Sequence, residues 1–213
     1  MKLHNYWRSS SSYRVRLALE HKHLEYVYVA VNLLQGEQHQ PAHRARNPSG
    51  MVPVLEVEED GRTLFVPQSV AIVEYLEERY PERPLFPSSR ADRAQMRALV
   101  ESITGGIQPF HNLATLNYVK SALAADPTAW ATHFIDAGLS ALEQLAARSA
   151  GTYLVGDAFT WADCCLVPQL FGARRFATFD ASRYPLLARV EATCLALPAV
   201  QRARPEAQPD AQR

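Results

Sequence analysis

Every strand-like segment of this chain lies before Pro81, and everything after Ser89 is patterned as helix. That division limits the fold more than any other feature, because a sheet and a set of helices each need an apolar core of their own. Between the two halves, Pro81, Pro84 and Pro87 mark the stretch 81–89 as a linker. With 213 residues the chain can fill two small cores. Lys+Arg and Asp+Glu balance at 22 each, so there is no basic footprint for nucleic acid or an anionic membrane. No apolar run reaches the roughly 18 residues of a spanning helix, and no signal-peptide pattern opens the chain. The three cysteines, Cys164, Cys165 and Cys194, make neither a metal-type pair nor an even disulfide set, which predicts a reducing, cytoplasmic setting.

The first 80 residues read as strand (Lys2 to Tyr6), helix (about Ser11 to Lys22), strand (Leu24 to Val31), polar loop, strand (Val52 to Val57), strand (Thr63 to Val66) and helix (Gln68 to Tyr80). Asp60-Gly61 between two strand-like runs is a hairpin signal, and Val70, Ile72, Val73 and Leu76 recur at helical spacing. Strand-helix-strand followed by a hairpin and a helix is the order of a thioredoxin-like α/β domain. Residues 90–213 read as an all-helical domain: a long pattern from Ala91 to about Tyr118 broken at Gly105-Gly106 and Pro109, then helices at 128–148, from Thr160, and at 184–195. Thr160-Trp161-Ala162-Asp163 has the form of a capping box opening a nearly all-apolar core helix, with Pro168 predicting a kink or an early stop. Beyond Ala203 the Pro, Glu, Ala, Gln and Asp content predicts a mobile tail. The expected fold is therefore α/β plus all-α.

Chemistry concentrates at Arg8-Ser9-Ser10-Ser11-Ser12-Tyr13-Arg14-Val15-Arg16, where a short strand runs through serines into a helix. A helix start aims backbone N–H groups and partial positive charge at one spot, which suits an anion; a thiolate is one candidate, since such a site lowers a thiol's pKa. A polar loop with one capping serine would look the same. Gln68 and Ser69 open another helix and offer a similar start. His39 and His43 have the i,i+4 spacing of a metal pair but lack a third ligand nearby, so they read as surface histidines, and no metal site is expected.

These segments, in this order, resemble the zeta class of the glutathione transferases, the maleylacetoacetate isomerase family. The resemblance rests on Arg8 to Arg16, Asn47-Pro48 through Val52-Pro53, Gln68-Ser69, Gly105-Gly106-Ile107-Gln108-Pro109, and Ala162-Asp163-Cys164-Cys165-Leu166-Val167-Pro168-Gln169. Each is weak alone; together they span nearly the whole chain. Ser11 departs from the pattern, since many members carry cysteine there, but the family's working thiol belongs to glutathione.

The resemblance implies a thioredoxin-like glutathione-binding domain at 1–80 and a helical substrate-binding domain at 90–213. It implies glutathione as cofactor and a cytoplasmic homodimer. The implied reaction is cis-trans isomerisation of a maleyl keto acid, most directly maleylacetoacetate to fumarylacetoacetate. Maleylpyruvate isomerase, a conjugating transferase or a haloacid dehalogenase of the same fold are alternatives, as is a non-catalytic binding module. Ser9, Ser10 and Ser11 are the implied catalytic hydroxyls, Ser9 first among them. Gln38, Val52, Pro53, Gln68, Ser69, Gln108 and Asn112 are the implied glutathione contacts. The Val52-Pro53 step is a candidate cis peptide, which would turn Val52 backbone groups toward an extended peptide. Gln108 and Asn112, four apart, are expected to share a helix face. A small dicarboxylate substrate needs a cationic partner, and Arg175 or Arg8 is implied in that role.

Overall fold

The computed structural model describes residues 1–176 and 179–211. They form two compact units: Met1–Pro84 joined by the residues from Leu197 onward, and Leu85–Ala196.

In the first unit, β1 (Lys2–Asn5), β2 (Val27–Ala30), β3 (Val54–Glu59) and β4 (Arg62–Pro67) make one sheet in the order β2-β1-β3-β4. β1 is parallel to β2 and antiparallel to β3, and β3 is antiparallel to β4. The parallel pair needs a crossover, and α1 (Ser10–Lys22) supplies it. Leu3, Leu55 and Val57 from the sheet pack with Val15 and Leu19 of α1 and with Ile72 and Leu76 of α3 (Ser69–Arg79), forming a core on one face. The loop before β3 holds only two 3-10 turns and the four-residue α2 (Pro41–Arg44), as its polar composition predicts.

The second unit contains α4 (Arg90–Thr104), α5 (Leu113–Ser121), α6 (Pro127–Ala146), α7 (Trp161–Ala173) and α8 (Pro185–Leu195). Every residue of α7 except Phe171 is buried. Pro168 does not stop the helix, which continues to Ala173. The carboxylate of Asp163 carries the start of α7: it accepts from the Thr160 N–H (2.8 Å), the Thr160 hydroxyl (2.8 Å) and the Leu154 N–H (2.9 Å). The Thr160 hydroxyl is thus a donor to the carboxylate as well as a member of the box.

As expected, Gly105, Gly106 and Pro109 break the long pattern from Ala91, dividing it into α4, a 3-10 turn (Gln108–His111) and α5. One expectation is corrected. The segment beyond Ala203 is not a mobile tail, and it does not join the helical unit. It follows α9 (Pro198–Ala203), makes a further 3-10 turn (Pro205–Ala207) and buries Gln208, whose amide donates to the Arg202 and Arg204 carbonyls at 2.9 and 2.8 Å. Composition measures whether a segment can build its own core; this one docks through polar groups instead. Residues 212 and 213 of that predicted tail lie outside the described residues.

Burial pushes the Asp163 carboxyl up to about 6 from its ordinary 3.8, against the pull of its hydrogen-bond donors. Between about pH 4 and 6 the unfolded chain has released this proton while the folded chain retains it. This group's contribution to stability therefore falls as pH rises through that window. Asp163→Asn is expected to lower stability at every pH and to flatten that part of the curve, as measured by urea midpoints from pH 4 to 7.

Candidate active site

Strand pairing brings three segments to one end of the sheet. His4 of β1 is opposite Val54 of β3, and Val54 is opposite Pro67 of β4. The chain leaving β1 toward Ser9, the Val52-Pro53 step entering β3, and the Gln68-Ser69 pair leaving β4 therefore emerge together. An Arg14 Nη1 donor 3.5 Å from the Ser69 hydroxyl links α1 to the start of α3.

Ser9 is the N-cap of α1, so the helix begins one residue earlier than expected. Its Oγ accepts from the Ser12 N–H at 3.2 Å and its carbonyl from the Tyr13 N–H at 2.9 Å. A hydroxyl that accepts through its oxygen keeps its own proton to donate. Capping the helix and holding an anion are thus compatible in one side chain. Ser10 and Ser11 lie inside the first turn, and all three serines are half-buried.

The Val52-Pro53 peptide is cis. The Met51 carbonyl just before it accepts from His43 Nε2 and Asn47 Nδ2, each at 2.9 Å. His43 is buried by this role, which corrects its reading as a surface histidine. Gly50 precedes with φ 64°, and a side chain there would meet the Gln38 carbonyl oxygen at 3.1 Å. Gln38 itself is only 8% exposed, and its carboxamide oxygen has no hydrogen-bond partner among the described residues. A buried amide oxygen left open beside an extended backbone segment fits an extended peptide ligand with donors of its own.

Gln68 adopts φ 73° and ψ 120°, a conformation that L residues other than glycine seldom take, immediately before Ser69 opens α3. Holding it there costs about 1–3 kcal/mol, and such strain concentrates at ligand-binding positions. Nothing in the sequence signals it. Ser69 is buried in the first turn of α3.

In the helical unit, Gln108 opens the 3-10 turn and Asn112 caps α5, its side chain accepting from the Thr115 N–H at 2.9 Å. They do not share an α-helical face, because Pro109 removes a backbone donor and tightens the turn. His111 between them is buried, pairs with Gln169 of α7 and packs on the Phe176 ring. The Gln108–Asn112 turn thus sits beside the chain leaving α7, where Arg175 is exposed and stacks on Phe176, 5.1 Å from its centroid. Arg174 is engaged elsewhere, in a two-pronged pair with Glu191 at 2.6 and 2.5 Å. Arg8, in the first unit, lies 5.6 Å over the Trp7 ring. Among the described residues, no group of three or more His, Cys, Asp or Glu side chains could hold a metal ion, and no helix is long and apolar enough to cross a membrane.

A thioredoxin-like sheet with α1 and α3 packed on it, followed in the chain by an all-helical unit, defines a glutathione transferase fold. Comparison with known proteins agrees. The chain matches the glutathione S-transferase N-terminal domain over residues 3–84 and the C-terminal domain over residues 128–192. It is 44% identical over 210 residues to a probable maleylacetoacetate isomerase 2 of Drosophila melanogaster, covering 98% of this chain and 89% of that one. A crystal structure of maleylacetoacetate isomerase from Anaeromyxobacter dehalogenans with glutathione in its active site superposes with a TM-score of 0.91 at 51% identity, over 99% and 97% of the two chains. The holo structure of a maleylpyruvate isomerase, a bacterial zeta-class enzyme, gives 0.93 at 42% identity over the whole of both chains. The chain belongs to the zeta class of the glutathione S-transferase family, with the maleylacetoacetate isomerases.

The strain at Gln68 yields a separable prediction. Gln68→Gly relieves the unfavourable backbone but removes the carboxamide. It is expected to leave thermal stability unchanged or raised while weakening glutathione binding severalfold, as measured by calorimetric titration beside a melting curve.

Proposed function

We propose that this chain is a glutathione-dependent cis-trans isomerase of maleyl keto acids, with maleylacetoacetate as principal substrate. The observation that carries the reading is the gathering of Ser9, Val52-Pro53, Gln38 and Ser69 at one end of a single sheet. Bound glutathione supplies a thiolate able to add reversibly to the cis double bond. The chain's part is to bind, orient and hold charge. Ser9 donates its hydroxyl proton to the sulfur while its oxygen caps α1, and the α1 dipole adds favourable potential. Ser10 and Ser11 form the remaining polar wall. Val52 pairs with the peptide backbone of the ligand, Pro53 fixes the approach, and Gln38 meets its far end. Gln68 and Ser69 hold a carboxylate at the start of α3. Gln108 and Asn112 are assigned as further glutathione contacts, and the Asn112 side-chain oxygen also caps α5.

For the substrate carboxylate we assign Arg175, with Arg8 as the second candidate. Arg174 is already committed to Glu191. The Arg175 guanidinium lies over the Phe176 ring, and a planar guanidinium can meet a carboxylate in a two-pronged pair. Maleylpyruvate is the competing substrate, since relatives carrying both activities in their names match along nearly the whole chain. We further propose a cytoplasmic homodimer. The three cysteines are buried and form no disulfide among the described residues, and Leu113, Tyr118 and Leu123 leave apolar surface exposed.

The direct test is turnover with both maleyl substrates, with and without glutathione. Isomerisation of neither substrate would sink the reading in favour of a binding module. Ser9→Ala is expected to lower turnover by roughly ten- to a hundredfold with a smaller change in glutathione affinity, matching the roughly 1.5–3 kcal/mol of a hydrogen bond to a charged group. An unchanged pH-rate profile would move the role to Ser10 or Ser11. Arg175→Lys is expected to impair isomerisation and to spare conjugation of a neutral electrophile. Equal loss of both would make Arg175 structural, and loss of neither would move the carboxylate site to Arg8.

A further inference from the structure

The turn that delivers Ser9 is held from outside its own segment. The Ser9 N–H donates to the Tyr6 carbonyl at 3.0 Å, so the Tyr6–Trp7 peptide sets where Ser9 sits. Both polar ends of that peptide are gripped. Arg16 Nη1 donates to the Tyr6 carbonyl at 3.4 Å, and the Trp7 N–H donates to Asp210 Oδ2 at 3.2 Å. The next peptide is gripped as well, since Arg16 Nη2 donates to the Trp7 carbonyl at 2.9 Å. Asp210 belongs to the segment after α9, about two hundred residues along the chain from the turn it holds. Its other oxygen accepts the hydroxyl of Tyr28 on β2, and burial beside this carboxylate pushes the Tyr28 phenol well above its ordinary pKa. The segment is itself anchored by the Ala203 carbonyl, which accepts from Arg16 Nε at 3.1 Å.

We propose that Asp210 is a positioning residue for the thiolate site: by fixing the Tyr6–Trp7 peptide from the far end of the chain, it sets the direction in which Ser9 presents its hydroxyl. The inference rests on the functional reading above. Rotation of this peptide would break the bond to the Ser9 N–H and swing the cap away from α1. Of the groups that clamp the peptide, Arg16 also carries the fold, whereas Asp210 hydrogen-bonds to the Trp7 N–H and the Tyr28 hydroxyl. The carboxylate needs both oxygens. An amide can replace it by accepting from the Trp7 N–H and donating to the Tyr28 oxygen; an alanine cannot.

The experiment is an ultraviolet titration of the glutathione thiolate on the enzyme, paired with the pH profile of kcat, for wild type, Asp210→Ala, Asp210→Asn and Tyr28→Phe. Asp210→Ala is expected to raise the bound thiol's apparent pKa by about one unit, a tenfold loss of thiolate at a fixed pH below it. The kcat acid limb should move with it, while KM for glutathione changes less than threefold. Asp210→Asn is expected to restore the wild-type profile, and Tyr28→Phe to give a smaller shift in the same direction. A titration unchanged in Asp210→Ala, whatever its melting temperature, would overturn the proposal by reducing Asp210 to a tail anchor. If that variant does not fold, an unshifted Tyr28→Phe overturns it instead. A wild-type enzyme on which glutathione shows no thiolate titration would sink the functional reading itself, a distinct result.

Discussion

The guanidinium of Arg16 is the interaction on which the first unit depends. It is fully buried, and a charge removed from water is tolerated only when its donors are met. Here they are met by the Asn5 side chain and by the carbonyls of Tyr6, Trp7 and Ala203. Asn5 is in turn fixed by the Leu3 carbonyl, and the Arg16 cation faces the Tyr13 ring at 5.3 Å. One side chain thereby joins the end of β1, the turn into α1 and the close of α9. Burial still pulls its pKa down, a sign that these partners offset a substantial desolvation cost. Loss of Arg16 would leave several carbonyls buried without donors, so the arrangement is held as much by the penalty of disrupting it as by the gain of forming it.

Asp163 plays the corresponding part in the helical unit with the opposite sign. An apolar helix such as α7 can bury nearly every residue only if its first turn brings acceptors for its orphan N–H groups. A single carboxylate meets Thr160 twice and reaches Leu154 on the chain leading in. In both units a buried charge is satisfied chiefly by backbone, and in both it fixes a strand or loop against the start of a helix.

This explains which parts were legible in the sequence. The order of strands and helices, the Asp60-Gly61 hairpin and the capping box follow from local periodicity and turn chemistry, which the sequence carries directly. The serine junction was visible as a helix start, because serine between a strand and an amphipathic run is a strong N-cap signal. Segments whose structure depends on a distant partner were not legible. The positive φ of Gln68 is imposed by the need to join β4 to α3, and no residue type announces it. His43 has metal-like spacing to His39, yet it is taken up by a carbonyl eight residues further along the chain. The tail after Ala203 has the composition of disorder, and its order comes from Arg16, Trp7 and Tyr28.

The choice among the three serines shows how the same physics narrows function. Side chains inside a helix tilt back toward its N-terminus but lie around its circumference, so Ser10 and Ser11 point to different sides of the first turn. Ser9 alone has extended backbone, at φ −69° and ψ 121°, with its oxygen turned onto the Ser12 N–H. Accepting that hydrogen bond polarises the O–H and favours donation to a negative acceptor beyond the helix end. Ser9 alone can therefore direct its O–H beyond the helix end along the axis, while Ser10 and Ser11 lie around the first turn.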